Sequence, residues 1–268
     1  MVWGTRGHRF KSGRPDHKRR GRLAGHPLYQ SRSPYLSKED RLTQITFIGH
    51  AAIEIESGGV SILIDPFISQ NPAAVQQPED FKPQAILLSH GHFDHLGDAV
   101  QLAKTHRCPI IAIFELANYC QAQGAPAVEG LNIGGPRRFD FGQLTLTPAF
   151  HSSSSPEGQY LGQPCGLLLQ TNEGQRIYHA GDTSLFSDMA LIGRGGLDLA
   201  LLPIGSTYTM DPAAALEAVK LLQPKRVIPI HYNTFPAIEQ DATAFKRAVE
   251  SATESQVIVL QPGEHYDW

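Results

Sequence analysis

Cysteine is scarce in this chain: Cys108, Cys120 and Cys165 stand far apart, and no two form a CxxC pair. An odd number at that spacing argues against a disulfide framework and against a cysteine zinc site, which leaves three small buried hydrophobes. A run of roughly 18 apolar residues is missing as well, so no segment can cross a bilayer as a helix. The N-terminus has basic residues but no continuous apolar stretch of a secretory signal, which points to a cytoplasmic protein. GxSxG is absent, and no cysteine sits in an activating setting, so serine or cysteine nucleophiles are not the expected chemistry.

Basic charge is outnumbered through most of the chain. Residues 1–41 hold 11 Lys and Arg against 3 Asp and Glu, whereas residues 42–268 hold 12 against 23. The acidic body has no stripe for a polyanion, so a nucleic-acid partner is unlike its composition. The basic arm, rich in Gly, Arg, Pro, Ser and His and without hydrophobic period, reads as disordered. It could anchor nucleic acid, although it lacks aromatics at regular spacing. A different origin also fits. Arg9-Phe10-Lys11-Ser12 can be encoded by codons containing GGTTCAAATCC, which resembles the T-arm of a transfer RNA gene. The arm is then expected to be upstream DNA translated from a start codon assigned too early, with the folded domain at 42–268.

What the body does contain is ordered text. QITFIGHAAIEIES, a Gly-Gly turn and VSILIDPF predict two strands of a hairpin. QAILLSH and PIIAIF are short apolar runs, as expected of strands buried on both faces. DHLGDAVQLAKTH predicts one helix with Leu96, Val100 and Ala103 on a face and Asp94 as N-cap. ELANYCQAQG predicts a short helix ending at Gly124. RRFDFGQLTLTPAFH, CGLLLQTNEGQRIYHAGD and LDLALLPIG carry further strand signals. DPAAALEAVKLLQP is a helix with proline at its first turn and another at its stop. RVIPIHYNTF is a strand, AIEQDATAFKRAVESA a helix and SQVIVLQPGE a closing strand. The order alternates β-rich stretches with βα units twice, which mixes α+β and α/β character. Two similar halves, each a sheet with helices outside, predict a four-layer αββα sandwich.

Twelve histidines are present, and their placement carries chemistry. SHGHFDHLGD crowds His90, His92, Asp94 and His95 at the end of a buried strand. Imidazole nitrogens and carboxylate oxygens are ligands for zinc and related divalent metals. Alternation lets His90 and His92 face one metal, and Gly91 leaves room where two imidazoles converge. Asp94 and His95 can then face a second. Two metals need more donors, and three candidates end strands: His151 in LTLTPAFH, Asp182 in RIYHAGD and His231 in VIPIH. Each alone could be structural. Taken together, His90, His92 and His151 are assigned to one metal, Asp94, His95 and His231 to the other, and Asp182 to a bridge.

HGHFDH, His151, the GDT of Asp182 and His231 together resemble the metallo-β-lactamase superfamily, whose fold is the αββα sandwich reached above. ITFIGHAAIEIE, ILIDPFISQNP, IFELANY, NIGG, AFHSSS, IYHAGDTSLF, LLPIGSTYTMDP and PKRVIPIHYNTFP look closer still to one branch. These are the metal-dependent hydrolases related to ascorbate-6-phosphate lactonase. The likeness covers residues 43–268, includes all seven ligand positions and leaves the basic arm without a counterpart. It implies a metal-dependent hydrolase. His50 in GHAA is typical of this branch, as a substrate contact, a group behind the ligands, or a structural hydrogen bond at a hairpin. Asp65 of the IDP turn is expected to hydrogen-bond a ligand imidazole, and His179 either orients a ligand or is half-buried in its strand. His106 and His265 read as surface residues.

Two divalent ions, zinc in first place and manganese in second, would share a water and lower its pKa toward neutrality. Asp94 and Asp182 are the carboxylates assigned to that chemistry. The expected reaction is hydrolysis of a small ester, lactone or phosphate ester. No cysteine ligand is present, so antibiotic hydrolysis does not lead. Only 49 residues separate Asp182 from His231, too few for the inserted domain of RNA-cleaving members. An iron-dependent oxidoreductase and a nucleic-acid phosphodiesterase are the competing readings. HSSSSPEGQYLG and GSTYTMDP are expected to wall the pocket, with Tyr160, Ser206, Thr207, Tyr208 and Met210 as contacts for a small-molecule substrate. The sequence neither requires nor bars a homo-oligomer.

Overall fold

The apolar runs of the body assemble into two sheets in a computed structural model that describes residues 42–268. The basic arm, with its expected disorder and its proposed origin, lies outside the described residues. In chain order come β1 (Gln44–Gly49), β2 (Ala52–Ser57), β3 (Val60–Ile64), β4 (Ala85–Leu87), β5 (Ile110–Ile113) and β6 (Val128–Leu131). Then follow β7 (Arg137–Phe139), β8 (Gly142–Pro148), β9 (Cys165–Thr171), β10 (Arg176–His179), β11 (Leu199–Pro203), β12 (Arg226–Ile230), β13 (Gln256–Val257) and β14 (His265–Asp267). One sheet runs β14-β1-β2-β3-β4-β5-β6 and the other β13-β12-β11-β10-β9-β8-β7. In both, antiparallel hairpins give way to parallel strands, from β3 onward in one and from β10 onward in the other. The two-half order expected from the sequence has this topology as its cause.

Strand β11 displays the layering residue by residue. Leu199 and Leu201 point into the core shared with β1–β5, and Ala200 and Leu202 point to the helices on the far side. A strand buried on both faces has no polar alternation to show, which is why LDLALLP reads as continuous apolar text. Helices α1 (Phe93–Leu96), α2 (Ala99–His106) and α3 (Phe114–Ala122) belong to the first half. Helices α4 (Met189–Gly193), α5 (Pro212–Leu222) and α6 (Ala242–Ala252) belong to the second. Ala99, Leu102, Leu116 and Cys120 join the core on the first sheet, and Ala215, Val219, Phe245 and Val249 join that on the second. All three cysteines are free and buried. No helix of the described residues is long and apolar enough to cross a membrane.

Helix α5 begins as its sequence predicts. Asp211 caps it, with Oδ1 accepting the Ala214 amide at 2.7 Å, and Pro212 occupies the first turn. Asp211→Ala is expected to lower the unfolding free energy by about 1 kcal/mol. Urea unfolding would record it as a lower midpoint at unchanged slope. An unchanged midpoint would remove the cap from the account.

Three elements differ from expectation, and two of the differences position the functional site. The first expected strand is itself a hairpin. Gly49 (φ +129°) and His50 (φ +60°) turn the chain between β1 and β2, so His50 sits at the sheet's end. The expected helix over DHLGDAVQLAKTH is two helices, broken at Gly97 (φ +40°), where a Cβ would strike the Pro66 carbonyl oxygen. Asp94 is therefore no N-cap but part of α1, and the buried face of α2 is Ala99, Leu102 and Ala103. The break frees the Asp98 carboxylate to accept from the Ile68 and Ser69 amides at 3.0 and 2.8 Å, pinning the loop after β3. Finally, the closing strand is only Gln256–Val257, and the chain then returns to the other sheet as β14 beside β1.

Candidate metal centre

Six segments that follow strands deliver ionisable side chains to one place. His50 comes from the β1–β2 turn, Asp65 from the end of β3, and His90, His92, Asp94 and His95 from the segment after β4. His151 follows β8, Asp182 follows β10 and His231 follows β12. His90, His92 and His151 place ligand-type nitrogens within 4.8 Å of one another. His90 Nε2 lies 3.0 Å from His92 Nδ1. A second such group holds His50, Asp94, His95 and His231. Asp182 stands between the two: its Oδ2 is 3.5 Å from His151 Nε2 and 3.0 Å from His231 Nε2, and its Oδ1 is 3.3 Å from His95 Nε2.

The hydrogen bonds behind these rings set which nitrogen faces inward. Asp65 is wholly buried and accepts from the Ser89 amide, the Ser89 hydroxyl and His95 Nδ1–H, at 2.8, 2.5 and 2.8 Å. With Nδ1 carrying the hydrogen toward Asp65, His95 turns Nε2 toward Asp182. Ser89, its hydroxyl hydrogen given to Asp65, can accept from His90 Nδ1–H at 3.0 Å, which leaves His90 Nε2 bare. One carboxylate thus orients an imidazole of each group. His50 is held differently. Asp94 can only accept, so His50 Nε2–H donates to Asp94 Oδ2 at 3.1 Å and Nδ1 accepts from the Thr234 hydroxyl at 2.9 Å. Both nitrogens of His50 are then used, and it serves Asp94 as a donor although it lies within ligand distance. The His231 amide donates to the His50 carbonyl at 2.6 Å, joining two left-handed residues from opposite sheets.

Charge follows from burial and neighbours. Burial pushes His90 well below the ordinary imidazole range, and it also lowers His92 and His151. Neutral imidazoles with bare lone pairs are the ligating form. Burial and the nearby His231 bring His50 down to about 4. Burial alone would raise Asp182, but the charges of His231 and His95 hold it well below the usual carboxylate range. Asp94 is likewise lowered against its burial, chiefly through the His50 hydrogen bond. His95 moves upward, because Asp182 and Asp65 outweigh its burial.

The donor set tests well for a metal. His95 Nε2, Asp182 Oδ1 and both ring nitrogens of His231 are buried without an aligned hydrogen-bond partner among the described residues. His95 Nε2 and Asp182 Oδ1 are 3.3 Å apart, and His231 Nε2 is 3.0 Å from the other Asp182 oxygen, close enough to share a cation. Leaving a buried polar atom unpaired costs about 1–3 kcal/mol, and a divalent cation would satisfy several at once.

A sequence profile described as the beta-lactamase superfamily domain matches residues 61–232. The chain belongs to the metallo-β-lactamase superfamily. Among its relatives, a UPF0173 metal-dependent hydrolase of Pelotomaculum thermopropionicum is 52% identical over 226 residues, covering 82% of this chain and 98% of that protein. One from Thermus thermophilus is 48% identical over 224 residues, covering 83% and 98%. The solved structure of Igni18, a metallo hydrolase from Ignicoccus hospitalis, is 40% identical with a TM-score of 0.79, covering 85% of this chain and 98% of that one. The two sheets flanked by helices are the metallo-β-lactamase fold.

In this superfamily member, His92, Asp94, His151, Asp182 and His231 line a cavity of about 460 Å³. Tyr208 lines it too, 61% exposed at the edge. Tyr160 lies in a neighbouring depression that shares His151 and Ser152 with it. Met210, expected as a substrate contact, is instead buried in the core cluster that holds residues of α4 and α5. His179 is wholly buried rather than half-buried: Nε2–H donates to the Ala51 carbonyl at 3.0 Å and Nδ1 accepts the Gly181 amide at 3.1 Å. It ties the His50 turn to the loop carrying Asp182. Gly91 is small for a different reason than expected, since its Cβ would meet Leu161 Cδ1 at 2.5 Å. Ser89, Thr234 and Ser152 were not singled out from sequence. Their only signals are adjacency to His90, a place three residues after His231, and the serine run after His151.

Proposed function

We propose that this chain is a metal-dependent hydrolase with a dinuclear centre, acting on a small ester, lactone or phosphate ester. His90, His92 and His151 would hold one divalent ion, Asp94, His95 and His231 the other, with Asp182 bridging. The observation that carries this reading is the Asp182 carboxylate, 3.0–3.5 Å from imidazoles of both groups. Zinc is the first choice for nitrogen-rich donors of this kind, and manganese the second. Such ions, when bound, supply a Lewis acid and lower the pKa of a shared water toward neutrality.

The protein's own part is to fix the donors and shape the space above them. Asp65 and Ser89 lock His95 and His90 in the ligating orientation. His50 holds Asp94 by one carboxylate oxygen, and the lowered pKa of Asp94 makes it a weak base. Its role is therefore charge and orientation rather than proton abstraction. Ser152 lines the same space, its hydroxyl 3.4 Å from His92 Nε2.

The test strips the purified protein with a chelator, restores zinc or manganese, and follows generic ester, lactone and phosphodiester hydrolysis. Loss on stripping and recovery on reloading are expected. Hydrolysis untouched by removal of metal would sink the reading, and oxygen uptake with a single iron would replace it with an oxidoreductase.

A further inference from the structure

Beyond the candidate ligands, the cavity has six wall residues: Phe93, Ser152, Tyr208, Phe235, Ala237 and Ile238. Four of them are apolar and none is charged. Twelve Lys and Arg fall within residues 42–268, and not one lines the cavity. A phosphate or carboxylate remote from the reacting centre would enter such a space without a cation and beside the Asp94 carboxylate. Losing its hydration there has no compensation.

The apolar walls are also built at a cost. Phe93 is 51% exposed at the start of α1, although it stacks edge-on against Phe67 at 5.8 Å. Tyr208 follows two consecutive left-handed residues, Ser206 (φ +63°) and Thr207 (φ +53°), neither of them glycine. The Thr207 hydroxyl donates to the Ala237 carbonyl at 3.1 Å, fastening the Tyr208 loop to the opposite wall segment. Phe235 follows another left-handed residue, Asn233 (φ +58°), whose amide donates to the Ile238 carbonyl at 2.9 Å. Strained backbone persists only where its surroundings hold it, and it concentrates where it positions a working group. Here it presents an aromatic or aliphatic surface to the cavity from two separate loops. Large exposed apolar side chains around a concave site mark an apolar ligand.

We infer that the group beside the substrate's scissile bond is uncharged and aliphatic or aromatic, and that Phe93, Tyr208 and Phe235 select it. This narrows the hydrolase reading and rests on it. Substrates carrying a further phosphate or carboxylate away from the reacting centre are disfavoured by the same walls.

The test is calorimetric binding of straight-chain hydroxamates, acetyl through octanoyl, to the zinc-loaded full chain, with an ω-carboxylated hexanoyl analogue as the charged probe. The hydroxamate head anchors at metal, and the tail reports on the walls. Affinity is expected to rise about fourfold per methylene until the cavity is filled. The carboxylated analogue should bind at least about tenfold more weakly than its uncharged match. Tyr208→Lys, at an exposed position where folding is not at risk, should shift that ratio toward the charged probe by about tenfold. The ratio of hydrolysis rates for 4-nitrophenyl octanoate over acetate should move in parallel with the affinities. Equal affinities along the series, or a wild-type preference for the carboxylated probe, overturn the inference and leave the metal reading standing. Failure of every hydroxamate to bind removes the metal reading, and this inference with it.

Discussion

Asp182→Ala should retain the fold and lose hydrolysis by roughly 10³-fold, since loss of metal-assisted stabilisation removes several kcal/mol from the transition state. Asp182 lies just past the end of β10, and its side chain adds nothing to either apolar core. Its two oxygens are shared among His95, His151 and His231, so its removal takes a donor from both ligand groups at once. Metal content should therefore fall for both ions rather than for one. Far-UV circular dichroism checks the fold, mass spectrometry of the metal counts the ions, and a generic ester reports the rate. A variant with two ions and full activity would remove Asp182 from the bridge.

Asp65→Asn should produce the second largest loss, without removing any of the proposed metal ligands. Asp65 accepts three hydrogen bonds in a wholly buried position. An amide keeps the shape but can turn an NH₂ toward His95 Nδ1–H, or toward Ser89. The imidazole then loses the partner that holds its Nε2 toward Asp182. A partner group of this kind is worth about 10–100-fold in metal affinity or activity. Breaking the buried carboxylate–imidazole pair also costs about 3–5 kcal/mol of stability. Competition with a calibrated chelator measures the first effect, and urea unfolding of the metal-free protein measures the second. Wild-type metal affinity in Asp65→Asn would show that the ligand rings are oriented by something else.

The fold was legible because its core strands are apolar on both faces, and because each half closes with βα units. LDLALLP and QAILLSH carry that information in a few residues each. That His151, Asp182 and His231 gather beside His90 and His95 was legible as well, since each of the three ends an apolar run. What escaped has tertiary causes. QITFIGHAAIEIES reads as one strand because its apolar text continues through a turn made by a left-handed histidine. DHLGDAVQLAKTH reads as one helix because nothing local reveals that Gly97 must admit the Pro66 carbonyl. Ser89 and Thr234 orient two of the histidines, but a hydroxyl residue beside a histidine is too common to single out. Met210 looked like a loop residue beside Tyr208, yet the strained turn before it swings Tyr208 outward while Met210 goes into the core.

The central claim is that two metal ions share Asp182 between separate sets of donors. Crystals of zinc-loaded protein, with anomalous differences collected at the zinc absorption edge, test it most directly. Two peaks are predicted, one among His90, His92 and His151 and one among Asp94, His95 and His231, each within coordination distance of an Asp182 oxygen. One peak alone, or two with Asp182 bound to neither, in protein that hydrolyses its ester at full rate, would contradict the account.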